Sequence, residues 1–113
     1  MKLIIAYIQP HKLTEVQEEI YKSEIFKISV TNALGCGQQK GYREQYRGVQ
    51  IAVDLLKKTR IEIAVNADFV QPTNDGIVRG ARTGEVGDGK IFVQPLDDRV
   101  RSRSGETGSD ANG

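Results

Sequence analysis

A chain of 113 residues can bury one hydrophobic core and is too short for two. Hydrophobic residues make up 38% and charged residues 27%, which excludes a disordered polymer. Sixteen Lys and Arg against fifteen Asp and Glu leave a net charge of +1, without the basic excess of a phosphate-neutralising nucleic-acid binder. Cys36 and His11 are the sole cysteine and histidine, so an intrachain disulfide framework, a cysteine zinc cluster and multi-histidine metal sites are excluded. The longest apolar run, residues 3–8, is far below membrane-span length, and no signal-peptide pattern opens the chain. A soluble, cytoplasmic single domain over residues 1–113 is expected.

Taken in order, residues 2–9 (KLIIAYIQ) are apolar and β-rich and predict a buried strand. Pro10 then suits the first turn of a helix. Over residues 11–22, Leu13, Val16 and Ile20 recur at helical spacing opposite Glu15, Glu18 and Glu19, which predicts an amphipathic helix. Residues 25–34 (IFKISVTNAL) alternate, with Phe26, Ile28 and Val30 on one face, and predict a second strand. Residues 35–50 (GCGQQKGYREQYRGVQ) hold no sustained period and read as a long exposed loop, of a length that is usually functional. An apolar pattern resumes at 51–56, and residues 59–65 (TRIEIAV) form a clean alternating strand. Residues 67–82 place Val70, Ile77, Val78 and Ala81 on one helical face, although Pro72, Asn74 and Gly76 are poor helix-interior residues. Residues 83–90 (TGEVGDGK) make a glycine-rich turn, and a last strand begins at 91–93. Residues 102–113 are small and polar and predict a flexible C-terminal tail. The order β-α-β-β-α-β predicts an α+β, ferredoxin-like fold: an antiparallel sheet with two helices on one face. The other face is left to bind something or to pack on further subunits.

Four clusters carry candidate chemistry. Gly35-Cys36-Gly37-Gln38-Gln39-Lys40-Gly41 follows a strand, and its glycines let backbone amides approach an anion. Gly87-Asp88-Gly89-Lys90 combines small residues with a lysine, although GxxxxGK[ST] is absent. Arg101 and Arg103, two apart, fall on one face of an extended segment and suit phosphate oxygens. Lys58 and Glu62 sit at the base of the long loop. Each alone has a bland reading as a turn or a solvated charge.

Together they match a family pattern. The chain resembles the PII signal-transduction proteins through residues 83–93 (TGEVGDGKIFV), Gln39-Lys40-Gly41, Tyr46-Arg47-Gly48 and Arg101-x-Arg103-x-Gly105-Glu106. The resemblance implies a homotrimer with sheets packed around a threefold axis, and ATP or ADP in the cleft between subunits. It implies nucleotide contacts at Ser29, Gly35, Cys36, Gly37, Gln38, Gln39, Glu62, Ala64, Gly87, Asp88, Gly89 and Lys90, with Arg101 and Arg103 reaching over from a neighbouring subunit. It further implies 2-oxoglutarate at Gln39, Lys40, Gly41 and Lys58 when Mg-ATP is bound, Gln39 touching the Mg²⁺. Residues 37–55 would be the effector loop, with Tyr42, Glu44, Tyr46 and Arg47 meeting a partner such as a membrane transporter. Arg47 could plug a narrow polar pore. The resemblance implies a sensing role in nitrogen regulation, and no nucleophile–base pair in the sequence supports an enzyme.

The chain also departs from that pattern. Ile51 stands where many members carry a modifiable tyrosine, so nucleotidylation there is chemically impossible. Val49 removes a serine, Gln38 replaces an arginine in the phosphate pocket, Cys36 replaces an aromatic residue and Ser102 an apolar one. Gln9 before Pro10, where standard members more often have lysine, leans with Ile51 toward divergent branches. A second reading therefore stays open: adenine nucleotides with another small anion such as bicarbonate, controlling an inorganic-carbon or metal transporter. A third, a single-stranded RNA binder, lacks a stacking pair among residues 26–30 and has no charge excess.

Overall fold

The computed structural model describes residues 1–35, 42–46, 49–53 and 55–112, the segments 42–46 and 49–53 through their backbone pairing only. Strand β1 (Lys2–Ile8) occupies the middle of a four-stranded antiparallel sheet, between β5 (Leu56–Val65) and β6 (Lys90–Pro95). β2 (Ser29–Gly35) completes the sheet as the outer neighbour of β5, for a strand order β2-β5-β1-β6. Helices α1 (Leu13–Tyr21) and α2 (Val70–Ala81) each follow a single 3₁₀ turn, Pro10–Lys12 and Ala67–Phe69. This is the ferredoxin-like arrangement expected.

The register sorts side chains onto two faces, because residues directly opposite in a ladder share a face. Ile4, Ala6 and Ile8 of β1 pair with Ile63, Ile61 and Thr59 of β5, and all are buried beneath the helices. Val16 and Ile20 of α1 and Ile77 and Ala81 of α2 close the same core. Each fully buried isoleucine contributes about 1.5–3 kcal/mol. The opposite face carries the rows Ser29–Glu62–Ile5–Phe92 and Thr31–Arg60–Tyr7–Lys90. Among the described residues no helix covers these rows, and Phe92 is 50% exposed.

α2 forms in spite of its poor helix formers. Pro72 lies in its first turn, where the missing N–H has no intrahelical partner to lose. Thr73 is fully buried and its hydroxyl donates to the Phe69 carbonyl at 2.6 Å. Gly76 and Gly80 set the helix crossing: a Cβ on Gly80 would stand 2.5 Å from Val16 Cα. The glycines that weaken α2 in isolation are thus what allows it to pack on α1. Val78, expected on the apolar stripe, is exposed, and the Asn74 side-chain oxygen is buried without a hydrogen-bond partner.

Three further segments differ from expectation. The second strand begins at Ser29, not at 25, because Glu24 adopts a left-handed φ of 63° and turns the chain after α1. Ile25 then seats in the core, with its N–H on the Ile20 carbonyl, while Phe26 stacks on Tyr21 with ring centroids 4.9 Å apart. Within the expected loop, β3 (Tyr42–Tyr46) and β4 (Val49–Val53) pair as an antiparallel hairpin separate from the main sheet. VQIAV is a good strand sequence, and the glutamines and charges of the flanking residues hide its period. Residues 100–112, expected as a tail from 102, form a compact segment instead. Val100 bridges Thr107, and a 3₁₀ turn spans Gly108–Asn112. Arg99 ties this segment to the end of β5: its guanidinium donates to the Gly108 carbonyl (3.1 Å), the Val65 carbonyl (3.5 Å) and the Asn66 side-chain oxygen.

Candidate functional site

The ends of four strands converge at one edge of the sheet: Ile8 of β1, Gly35 of β2, Leu56 of β5 and Lys90 of β6. The residues 83–90 cross this edge, and their shape is held by Asp88. Its carboxylate accepts the Thr83 N–H (2.8 Å), the Gly84 N–H (2.9 Å) and the Thr83 hydroxyl (2.5 Å), with Gln9 Nε2 more distant at 3.5 Å. The Thr83 hydrogen bonds, joined by those of Gly84 and Gln9, hold the Asp88 carboxyl below its ordinary pKa. Asp88, read as a nucleotide contact, therefore spends its side chain on the turn. Sequence reasoning gives Thr83 and Gln9 no part in shaping this turn: Thr83 stands there only as the first residue of the 83–93 motif, and Gln9 only as a departure from the family pattern.

Gly84, Gly87 and Gly89 all take positive φ, of 88°, 104° and 96°. At Gly89 the requirement is double, since a Cβ would also fall 1.7 Å from the Tyr7 carbonyl oxygen. Lys58 crosses from β5 and donates its Nζ to the Gly87 carbonyl at 2.9 Å. This bond joins the strand that leads out of residues 36–55 to the glycine turn. Gly35 lies beside the same lysine, 3.3 Å separating an ideal Cβ there from Lys58 Cγ.

Ser29, Glu62 and Ala64 line the open sheet face, Ser29 directly opposite Glu62. Glu62 is paired with Arg60 at 2.7 Å, and Arg60 Nε is buried without a hydrogen-bond partner. Tyr7 and Phe92 form an edge-to-face pair on this face, with centroids 6.3 Å apart, which the reading of residues 26–30 missed. Two clefts flank the strand ends. One of about 230 Å³ lies between the turn and α2, lined by Tyr7, Ile77, Ala81, Asp88, Gly89 and Lys90 among others. The other, of about 410 Å³, is lined by Pro10, Asn32, Ala33, Leu34, Lys57 and Lys58.

Arg101 and Arg103 are not brought to this edge. Arg99 anchors their segment at the far end of β5, beside Val65. Val65 lies seven steps along β5 from Lys58, a span of about 23 Å. Arg103 is exposed. The Arg101 guanidinium donates to the Asp110 carbonyl at 2.8 Å and pairs with the Glu106 carboxylate at 3.4 Å. Cys36, Gly37, Gln38, Gln39, Lys40, Gly41 and Arg47 lie outside the described residues, as do the side chains of Tyr42, Glu44 and Tyr46. Among the described residues no three His, Cys, Asp or Glu side chains group as metal ligands, and no helix is long and apolar enough to cross a membrane.

A family model described as nitrogen regulatory protein P-II matches residues 1–106. The chain belongs to the P-II family. It is 48% identical over 111 residues to a nitrogen regulatory protein P-II of Bradyrhizobium diazoefficiens, covering 98% of this chain and 99% of that one. It is 46% identical over 113 residues to nitrogen regulatory protein GlnK1 of Methanosarcina mazei, covering 98% and 97%. A nitrogen regulatory protein P-II of Azospirillum brasilense is 47% identical over 111 residues, with 98% and 99% covered. P-II proteins are signal-transduction regulators rather than enzymes, so the chain is a nitrogen-regulation signalling protein, as the resemblance implied.

Proposed function

We propose that this P-II protein is a cytoplasmic homotrimer that senses ATP and ADP in clefts between its subunits. The observation that carries the reading is the split of the basic and glycine-rich residues. Gly35, Lys58 and residues 87–90 meet at one edge of the sheet, whereas Arg101 and Arg103 belong to a segment anchored at the other end. A phosphate chain gripped by both sets takes the arginines from a neighbouring copy. Ser29, Glu62 and Ala64 would receive the adenosine end, and Cys36, Gly37, Gln38 and Gln39 would complete the phosphate contacts. Binding of nucleotides and 2-oxoglutarate is typical of the family.

The donor set fits a Mg²⁺ that arrives with ATP. With no carboxylate cluster among the described residues, phosphate oxygens and the neutral Gln39 amide would hold the ion, which suits its reluctance to shed water. Lys58 offers a cation to a 2-oxoglutarate carboxylate, with Lys40 and Gly41 at the other end. Because Lys58 is bonded to Gly87, a ligand that recruits its ammonium alters the tie between the turn and the base of residues 37–55. That segment, through Tyr42, Glu44, Tyr46 and Arg47, then presents a different surface to a transporter.

Gln9 supports a second reading. It is one of the residues that set this chain apart, and it reaches the Asp88 carboxylate that shapes the turn. On that reading the second ligand is another small anion such as bicarbonate, and the target an inorganic-carbon or metal transporter. Calorimetric titration of ATP and ADP with Mg²⁺, with and without 2-oxoglutarate or bicarbonate, separates the two. Heat from 2-oxoglutarate only in the presence of Mg-ATP is the expected result. Heat from bicarbonate in its place favours the second reading, and no nucleotide binding overturns both.

A further inference from the structure

The C-terminal segment does more than carry Arg101; it also occupies it. The Arg101 N–H donates to the Glu106 carbonyl and the Gly105 N–H to the Arg101 carbonyl, both at 2.8 Å, so the turn brings residue 106 back beside residue 101. Within it the Arg101 side chain is 22% exposed, and its partners among the described residues include two acceptors of different kinds. One is the neutral Asp110 carbonyl, at 2.8 Å. The other is the Glu106 carboxylate, at 3.4 Å and 46% exposed.

We propose that Glu106 is a built-in competitor for the anion that Arg101 binds. The inference rests on the nucleotide-sensing reading above. A guanidinium has five N–H donors, so the Asp110 carbonyl can stay in place while a phosphate binds. A carboxylate cannot be shared in that way: beside a polyphosphate it either swings away or repels it. Being half exposed and loosely paired, Glu106 can leave for water at little cost. Asp110 then fixes the direction of Arg101, and Glu106 sets how much phosphate charge is needed to capture it. The arrangement lowers nucleotide affinity and keeps the arginine ordered when no nucleotide is bound.

The test is calorimetric titration of ADP and ATP into the full chain and into its E106Q and E106A variants, at about 0.05 M and about 0.5 M salt. Both variants are expected to bind about two- to fivefold more tightly than wild type at low salt, in line with an exposed ion pair, and to lose most of that gain at high salt. Thermal melts are expected to stay close to wild type, since the backbone hydrogen bonds of the turn remain. Unchanged or weaker binding by E106Q and E106A, or a gain that persists undiminished at high salt, overturns the proposal and leaves Glu106 a structural residue. Failure of the wild-type chain to bind adenine nucleotides overturns the sensing reading itself.

Discussion

Gly89 and Asp88 show how much of the turn at residues 83–90 is settled one residue at a time. Gly89 needs both a positive φ and the empty space that a Cβ would fill against the Tyr7 carbonyl. Gly84 has the first requirement but not the second, since nothing lies within 4 Å of its ideal Cβ. Gly89→Ala is therefore expected to cost at least about 3 kcal/mol in urea unfolding, because backbone must move as well as strain. Gly84→Ala should cost only about 1–2 kcal/mol. Asp88 gives the turn a pH dependence with a definite sign. Its pKa is lower folded than unfolded, so its contribution is complete above the unfolded value, about pH 4, and is lost as pH falls through the folded value. The stability gap between wild type and Asp88→Asn should accordingly be widest near neutral pH and close below about pH 4. A gap that widens in acid would show that the carboxylate hydrogen bonds do not hold the turn.

At the scale of elements, the helix pair and the β2 boundary behaved oppositely as sequence signals. α1 and the core side of β5 were legible, because Val16 with Ile20 and Ile61 with Ile63 repeat at helical and strand spacing. The start of β2 was not legible, since the alternation of residues 25–30 continues through a turn that Glu24 imposes. α2 was legible only with doubt, because the merit of Gly76 and Gly80 lies on another helix. Gly80→Ala should destabilise the protein by about 2–3 kcal/mol although alanine is the better helix former, since its Cβ would meet Val16 backbone. Gly76→Ala, 3.1 Å from the Ile20 Cγ2, meets a side chain that can shift, so it should stay within about 1 kcal/mol of wild type in chemical denaturation. Equal costs at the two positions would argue against the crossing described here.

For the whole molecule, the informative feature is a sheet with one face closed by helices and one face open. β1 is apolar on both sides: Ile4, Ala6 and Ile8 meet the helices, whereas Leu3, Ile5 and Tyr7 lie on the open face with Phe92. A strand apolar on both faces suits a sheet that is covered on both. If further copies of the chain provide that cover, Ile5→Glu should shift the mass measured by light scattering from three chains to one, because each interface would bury a carboxylate without a partner. The same variant should lose nucleotide binding, since the two halves of the proposed site would no longer meet. A monomeric wild type would remove the basis of both expectations.

The sequence by itself determined the order of the two helices and the four main-sheet strands, most of the helix-facing core and the family, because hydrophobic period and the motifs at 83–93 and 101–106 are local, linear signals. It also marked the glycines and cations of the site, as residue types and spacings. Only the tertiary structure decided what those residues do to one another. Lys58 bonds Gly87 across 29 positions, Asp88 serves its own turn, and Arg99 carries Arg101 away from the glycine-rich edge. Such outcomes depend on which strand ends adjoin and on how closely two backbones approach. Distances of that kind are set by the packed sheet and helices together, and no window along the chain contains them.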